Sequence, residues 1–194
     1  ESIVLLKNDG ILPLDRTKIK HIAVIGMNAD SVPVLLGNYN GTPSHPVTIL
    51  AGIREAVGTN VEVSYEAGCP LALPINSNRI DMEAWQNAIA AARSADVIIY
   101  VGGISPRLEG EEMKVNFDGF SGGDRTRIEL PDVQINLLKA LQATGRPVVF
   151  VNCSGSAIAM PWAATHLPAI VQAWYPGEAG GTAVADVVFG DVNP

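Results

Sequence analysis

The sequence predicts a three-layer α/β/α sandwich built around a mainly parallel sheet of five to six strands. Two observations predict it: short runs that are apolar along almost their whole length, and helical segments with one apolar face that lie between them. A strand that is apolar on both faces is typical of a parallel sheet covered by helices on either side. Alternation of the two kinds of segment is typical of α/β domains.

The first quarter of the chain contributes one strand and two helices to this prediction. Residues 2–7 have apolar positions that favour a short helix, closed by a turn sequence. Residues 20–26 form a nearly continuous apolar run that ends at a glycine, which predicts the first strand. Residues 27–46 are rich in glycine, proline and asparagine and are predicted to be loop-rich. A helix is predicted over 48–57, because a threonine can cap its start and a glycine follows its end.

The middle of the chain repeats the pattern. Residues 61–65 predict a second strand, and a long loop follows it. From Asp81 apolar residues recur every three to four positions, which indicates a helix. Residues 97–101 predict a third strand, which stops at Gly102-Gly103.

The last third adds two strands and two helices. A helix is predicted from Asp132 to residue 141, followed by a strand over 147–152. The segment around Pro161-Trp162 is predicted to be irregular. Residues 169–174 predict the fifth strand, and Pro176 opens a final helix.

Size and composition limit the classes of protein. The chain has 194 residues, of which 47% are hydrophobic and 17% charged, as expected for a single domain with a large core. The net charge of −7 disfavours nucleic acid or an anionic membrane surface as a partner. No apolar run approaches the roughly 18 residues of a membrane span.

The two ends of the chain suggest a piece of a longer protein. Glu1 begins within a helical pattern without an initiator methionine, and Asn193-Pro194 forms a turn signal after which another segment is expected. We therefore expect residues 1–194 to be one excised domain.

Several common chemistries find no support in the sequence. The first strand ends without the further glycines of a dinucleotide fingerprint, and no phosphate-binding loop is present. Cys153 follows a strand as a nucleophile would, but its neighbours do not form a nucleophile elbow, which favours a buried, inert thiol. The three histidines are scattered. We therefore predict neither a metal site nor a cofactor.

Titratable chemistry is concentrated in residues 108–125, the acidic loop, which follows the third predicted strand. It holds Glu109, Glu111 and Glu112, and then a glycine-rich part that ends in Asp124-Arg125. Carboxylates this close repel one another, which favours retention of a proton by one of them, as a general acid requires. A solvated acidic surface loop remains the alternative.

Glycoside hydrolysis needs two carboxylates on opposite sides of the scissile bond, about 5 Å apart in retaining enzymes. Three glutamates on one loop are not expected to straddle a sugar. The sequence therefore offers an acid without a nucleophile. Asp124 is predicted to pair with the adjacent Arg125 and so to fix the loop.

The order and spacing of several motifs resemble those of glycoside hydrolase family 3, in its second, α/β-sandwich domain. The resemblance covers nearly the whole chain. Its motifs are Glu1-Ser2-Ile3-Val4-Leu5-Leu6-Lys7-Asn8, Leu12-Pro13-Leu14, Ile22-Ala23-Val24-Ile25-Gly26, Leu36-Gly37-Asn38-Tyr39, Glu109-Gly110-Glu111, Gly123-Asp124-Arg125, Leu130-Pro131, Ala173-Trp174-Tyr175-Pro176-Gly177-Glu178-Ala179-Gly180-Gly181 and Phe189-Gly190-Asp191-Val192-Asn193-Pro194.

The resemblance implies a retaining β-glycosidase whose pocket lies between a TIM-like barrel, absent from this chain, and the sandwich. The barrel would supply an aspartate nucleophile, and the sandwich a glutamate acid/base within a Gly-Glu-Gly context. Gly110-Glu111 matches that context, so the role is assigned to Glu111, with Glu112 and then Glu109 as the next candidates. Glu112 stands where the family has its second glycine. Asn38 and Tyr39 match a region that lines the aglycone side of the pocket.

The same resemblance implies partners and a substrate class. The parent enzyme would be exo-acting and hydrolyse β-xylosides or β-glucosides in plant-type oligosaccharides, with the loop motifs closer to β-xylosidase-like members. The partners would be the glycoside and the barrel domain of the same parent chain, and the compartment periplasmic or extracellular. The chain alone is expected to be inactive. A non-catalytic structural or sugar-binding domain remains the alternative.

Overall fold

A six-stranded sheet lies at the centre of the computed structural model, which describes residues 2–194; Glu1, the first residue of the predicted domain, lies outside the described residues. The strands are β1 (Val4–Asn8), β2 (His21–Ile25), β3 (Glu62–Glu66), β4 (Val97–Gly103), β5 (Phe120–Ser121), β6 (Asp124–Arg125), β7 (Val148–Cys153) and β8 (Ala169–Gln172). The main sheet has the order β1-β8-β7-β4-β2-β3. All its neighbours are parallel except β1 and β8, and β5 and β6 form a separate antiparallel pair.

Helices cover both faces of this sheet. They are α1 (Val32–Leu36), α2 (Ile49–Val57), α3 (Met82–Ser94), α4 (Asp132–Gln142), α5 (Pro161–His166) and α6 (Gly180–Phe189). The buried residues of α1, α2 and α6 belong to one apolar cluster, and those of α3, α4 and α5 to another. The predicted three-layer α/β/α sandwich is thereby confirmed.

The central strands show why the sequence reads as continuously apolar. In β4, Ile99 and Val101 join the first cluster, whereas Ile98 and Tyr100 join the second. Because successive side chains of a strand point to opposite faces, a strand between two helical layers needs apolar residues at every position.

Local capping explains the helix starts that were predicted correctly. Thr48 Oγ1 accepts a hydrogen bond from the backbone N–H of Ala51 at the start of α2. Asp81 Oδ1 accepts from the N–H groups of Glu83 and Ala84 at the start of α3. These side chains satisfy N–H groups that have no partner within the first turn of a helix.

Two predictions about segments, for residues 2–7 and around Pro161, were wrong, and one, for residues 27–46, was incomplete. Residues 2–7 do not form a helix, because they contribute to β1, where exposed and half-buried residues alternate and Val4 pairs with Gln172. A short apolar run fits either structure, and only the strand partner decides between them. The predicted loop over 27–46 contains α1, and the segment around Pro161 is helix α5, with proline at a helix start where its missing N–H costs nothing.

The chain order places a crevice at one edge of the sheet. From β2 the chain runs to β3 on one side, and from β3 it crosses back to β4 on the other side. Loops therefore diverge beyond the carboxyl ends of β2 and β4, which is where open α/β sheets bind ligands. None of the helices within residues 2–194 is long and apolar enough to span a membrane.

Candidate functional site

An open cleft of about 1050 Å³ lies beyond the carboxyl ends of β2, β4, β7 and β8. Loops that follow all four strands contribute to its walls. The lining residues are Asn38, Tyr39, Glu109, Gly110, Glu111, Gly123, Asp124, Arg125, Thr126, Arg127, Ile128, Gly155, Ser156, Ala157 and Tyr175. Six of the seven residues predicted for the site line this cleft; the exception is Glu112.

A buried glutamine fixes the point where the acidic loop leaves the sheet. Gln134 of α4 is fully buried. Its Oε1 accepts from the Tyr100 hydroxyl at 3.1 Å and from the Gly103 N–H at 2.9 Å. Its Nε2 donates to the carbonyls of Leu71 and Gly103, both at 2.6 Å. The end of β4 is therefore held by an inward-facing side chain of the helix that follows the loop.

The acidic loop packs with neighbouring segments in a small apolar cluster. The buried members of this cluster are Ala72, Ile104, Leu108 and Phe120. The Gly110 N–H donates to the Gly123 carbonyl at 2.9 Å, which ties the glutamates to the β5–β6 hairpin. A side chain at Gly123 would place its Cβ 1.9 Å from the Gly110 oxygen, and φ there is +93°, so this contact requires glycine.

Glu109 is the most heavily hydrogen-bonded of the three glutamates. Its Oε1 accepts from the Gly155 N–H at 2.6 Å and from the Tyr175 hydroxyl at 2.7 Å. Its Oε2 accepts from the Ser156 hydroxyl at 2.6 Å. This carboxylate is therefore held by the loops that follow β7 and β8.

Glu111 lies in the same wall of the cleft but is exposed, and it accepts a hydrogen bond from the hydroxyl of Tyr39. The bond to Glu111 raises the pKa of Tyr39. Asn38 Nδ2 donates to the Glu109 carbonyl at 2.9 Å. The two residues predicted for the aglycone side thus contact the segment that carries the predicted acid.

Glu112 takes no part in this arrangement. It is exposed, it does not line the cleft, and its φ of +50° lies in the left-handed region. Glycine adopts that region without strain, whereas a glutamate there has a strained backbone.

The predicted ion pair between Asp124 and Arg125 is not formed. Arg125 Nη1 donates to the Ala157 carbonyl at 3.0 Å and Nη2 to the Glu129 carbonyl at 2.7 Å, while Asp124 is exposed. Partial burial lowers the pKa of Arg125. Because the planar guanidinium can bind two carbonyls at once, Arg125 fixes the loop through the backbone.

The cleft residues that were not predicted as site residues from the sequence include Ser156, Tyr175 and Arg127. Ser156 lies in a polar loop directly after β7, and Tyr175 lies in the Trp174-Tyr175-Pro176-Gly177 motif after β8. Position beyond a strand end was the available signal. Trp174 adopts φ +61°, which turns the chain sharply at this point.

The chemistry available in the cleft is that of carboxylates, amides and hydroxyls. The carboxylates of the lining, Glu109, Glu111 and Asp124, all belong to the acidic loop, so within residues 2–194 no carboxylate faces them from another element of the cleft. Residues 2–194 also contain no group of three or more potential metal ligands. Burial raises the pKa of both free thiols, Cys69 and Cys153, to about 12, which makes them poor nucleophiles.

Comparison with known proteins extends this picture. The sequence profile described as "Glycosyl hydrolase family 3 C-terminal domain" matches residues 3–194. The "Xylan 1,4-beta-xylosidase" of Xylanibacter ruminicola is 61% identical over 110 residues, which cover 57% of this chain and 13% of that protein. The "Beta-xylosidase" of Formosa agariphila is 38% identical over 201 residues, which cover 100% of this chain and 26% of that protein.

Solved structures agree in fold. A beta-glucosidase from Erythrobacter marinus superposes with a TM-score of 0.83 at 35% identity, covering 100% of this chain and 27% of that one. The chain thus spans about a quarter of the length of the relatives that it matches from end to end. On the match from residue 3 to residue 194 and on these whole-length identities, the chain belongs to glycoside hydrolase family 3, as its C-terminal domain.

Proposed function

We propose that this domain supplies the general acid/base, Glu111, to a retaining exo-acting β-glycosidase. The observation that carries the proposal is the placement of Glu111 in the wall of a large open cleft, with Tyr39 as its hydrogen-bond donor. In a retaining mechanism such a group first protonates the departing oxygen and then activates water. The second carboxylate, the nucleophile, would come from the barrel of the parent chain.

The choice among the three glutamates follows from their partners. The oxygens of Glu109 already accept three hydrogen bonds from the domain itself. Glu112 lies outside the cleft lining. Glu111 is exposed, and within residues 2–194 its carboxylate is hydrogen-bonded by the exposed Tyr39 alone, so the carboxyl group is free to approach a glycosidic oxygen.

The proposed substrates are β-xylosides or β-glucosides, as in the relatives named above. Asn38 and Tyr39 lie beside the acid, and Tyr39 is 85% exposed, so an aromatic face is available on the aglycone side. Aromatic faces are suited to packing against the apolar face of a sugar ring.

The role of Glu111 is testable in the full-length protein by Glu111→Gln. With unactivated xylobiose or alkyl glycosides we expect kcat/KM to fall about 100- to 10,000-fold, the range typical of a lost general acid. Aryl glycosides with acidic leaving groups need less protonation and should lose less. The basic limb of the pH–rate profile should also disappear.

Two further variants serve as comparisons for Glu111→Gln. Glu112→Gln tests the register of the assignment and is expected to keep near wild-type activity. Glu62→Gln changes an exposed carboxylate at the amino-terminal end of β3, where it pairs with His21, on the edge of the sheet opposite the cleft, and serves as the control. Equal losses on activated and unactivated substrates in Glu111→Gln would argue against an acid role. Full activity in that variant would favour a structural or sugar-binding domain.

We further propose that the isolated chain has no glycosidase activity, because its cleft carboxylates all belong to one loop. Incubation of the purified domain with an aryl β-xyloside and an aryl β-glucoside tests this. Turnover that co-purifies with the domain and is lost in Glu111→Gln would contradict it.

A further inference from the structure

The carboxylate of Glu109 joins three loops that are far apart in the sequence. Its three donors are the Gly155 N–H, the Ser156 hydroxyl and the Tyr175 hydroxyl, which lie 46, 47 and 66 residues away. The two hydroxyl donors lie 2.6 and 2.7 Å from the carboxylate oxygens, the distances typical of charge-assisted hydrogen bonds, and the N–H donor lies at 2.6 Å. The loops after β4, β7 and β8 therefore meet at one side chain.

The donors are themselves held in place. Tyr175 follows Trp174, whose φ of +61° is rare for a side chain of this size and whose indole N–H donates to the Ser2 carbonyl at 2.9 Å. Burial, followed by the hydrogen bond to Glu109, raises the pKa of Tyr175 above its ordinary value. The phenol therefore remains a donor throughout the pH range in which such an enzyme works.

The approach of Glu109 to the loop after β7 leaves no space for a side chain. A Cβ at Gly155 would lie 2.9 Å from Glu109 Oε1 and 2.9 Å from a ring carbon of Tyr175. Ser156, next in the chain, faces the other carboxylate oxygen. Gly155 and Ser156 therefore each donate a hydrogen bond to one of the two oxygens of the Glu109 carboxylate.

Glu111 lies between two backbone hydrogen bonds that tie the acidic loop to the turn between β5 and β6. The N–H groups of Gly110 and Met113 donate to the carbonyls of Gly123 and Gly122, both at 2.9 Å. With the side chain of Glu109 held as well, little freedom remains at the base of Glu111.

We propose that Glu109 is a positioning residue, whose carboxylate clasps the loops after β7 and β8 and thereby sets where Glu111 meets the glycosidic oxygen. The inference rests on the proposed role of Glu111 as the acid/base. The clasp would assemble one wall of the cleft before substrate arrives, as a preorganised site requires.

The clasp is tested in the full-length protein with Glu109→Gln and Tyr175→Phe. Glutamine keeps the size of the side chain, but its amide nitrogen opposes one of the donors. Tyr175→Phe removes a single donor. Hydrogen–deuterium exchange should show faster exchange over residues 154–157 in both variants. Tyr65→Phe is the matched control, because the Tyr65 hydroxyl donates no hydrogen bond within the described residues.

Kinetic measurements distinguish a positioning role of Glu109 from a direct role in acid/base catalysis and from a loss of protein stability. We expect kcat/KM for unactivated glycosides to fall about 10- to 100-fold in Glu109→Gln, the scale of a displaced catalytic group, and less in Tyr175→Phe. The loss should be in kcat more than in KM and smaller for activated aryl glycosides. The basic limb of the pH profile should persist, and azide, which attacks the glycosyl-enzyme without base assistance, should not restore turnover.

Two results would overturn the inference. Unchanged exchange over 154–157 in both variants would show that no clasp operates. Loss of the basic limb together with azide rescue in Glu109→Gln would make Glu109 the acid/base itself. The proposed function has its own test: full activity in Glu111→Gln would contradict the role of Glu111 as the acid/base. In that case the hydrogen–deuterium exchange data would still show whether Glu109 holds the loops after β7 and β8 together.

Discussion

The centre of the sheet and the acidic loop that leaves it are neighbours with opposite physical character. Every residue of β4 and β7 is buried between two helical layers. The acidic loop has exposed carboxylates, a small apolar cluster and a set of single hydrogen bonds. The stability of the domain therefore comes mainly from the centre of the sheet, where burial is extensive. The positions of the glutamate side chains depend on individual contacts in the acidic loop.

The largest effect is expected from a cavity at the centre. Phe150 of β7 is fully buried, with its ring centroid 5.5 Å from that of Tyr100. Phe150→Ala should lower the free energy of unfolding by about 3–5 kcal/mol. Denaturant titration measures this loss. Phe150→Leu, which fills more of the site, should cost clearly less. A loss below about 1 kcal/mol for the alanine variant would mean that the centre does not dominate stability.

An effect of similar size is expected where the two regions join. Gln134→Met removes a hydrogen-bond partner from the Tyr100 hydroxyl, from the N–H and carbonyl of Gly103 and from the Leu71 carbonyl. The free energy of unfolding should fall by about 1–3 kcal/mol for each of these groups that is left buried and unpaired. Thermal unfolding gives the measurement. Gln142→Met places the same change at an exposed position of α4 and should be nearly neutral. Similar shifts for the two variants would contradict a specific role for Gln134.

A pH-dependent contact stabilises the opposite, amino-terminal edge of the centre. Hydrogen bonds from the backbone N–H groups of Lys20 and His21, at 2.8 and 3.0 Å, lower the pKa of Asp96. A carboxyl group with a lowered folded pKa stabilises above its unfolded pKa of about 3.9, and this contribution is lost as pH falls through the folded pKa.

Asp96→Asn should therefore be less stable than the wild-type chain at pH 7, with a difference that narrows as the pH is lowered below about 4. Urea titrations of both chains at several pH values check this. A constant difference across that range would show that charge at Asp96 is not the cause.

The smallest effect is expected in the exposed part of the loop. Glu112 has φ +50°, so Glu112→Gly should relieve backbone strain, offset in part by the greater entropy of the unfolded chain. The net change should be a stabilisation of up to about 1 kcal/mol. Lys114→Gly, in the same loop without a positive φ, should instead be mildly destabilising. Equal destabilisation by both would show that strain at Glu112 is negligible.

Much of the fold was predictable because its signals are local. Thr48 and Asp81 cap helices through their own next turn, and the alternation of Ile98, Ile99 and Tyr100 between two cores requires an apolar run in any case. Residues 2–7 were assigned wrongly because their strand exists only through pairing with β8, more than 160 residues away.

The site residues, like the segments of the fold, include some that the sequence predicted and some that it did not. The glutamates of the acidic loop, their place beyond a strand end and the family resemblance were accessible from the sequence, as were Asn38 and Tyr39. Ser156 and Tyr175 were missed because nothing within a few residues of either one marks it as a partner of Glu109.

The sequence by itself determined the layered α/β class, the strands that end at the cleft and the crowding of carboxylates after β4, because periodicity, capping and composition act over a few residues. Only the tertiary structure decided which glutamate is clasped and which is free, and that Arg125 binds carbonyls instead of Asp124. Those outcomes depend on which loops the sheet order brings together, a property of the whole chain that no short segment contains.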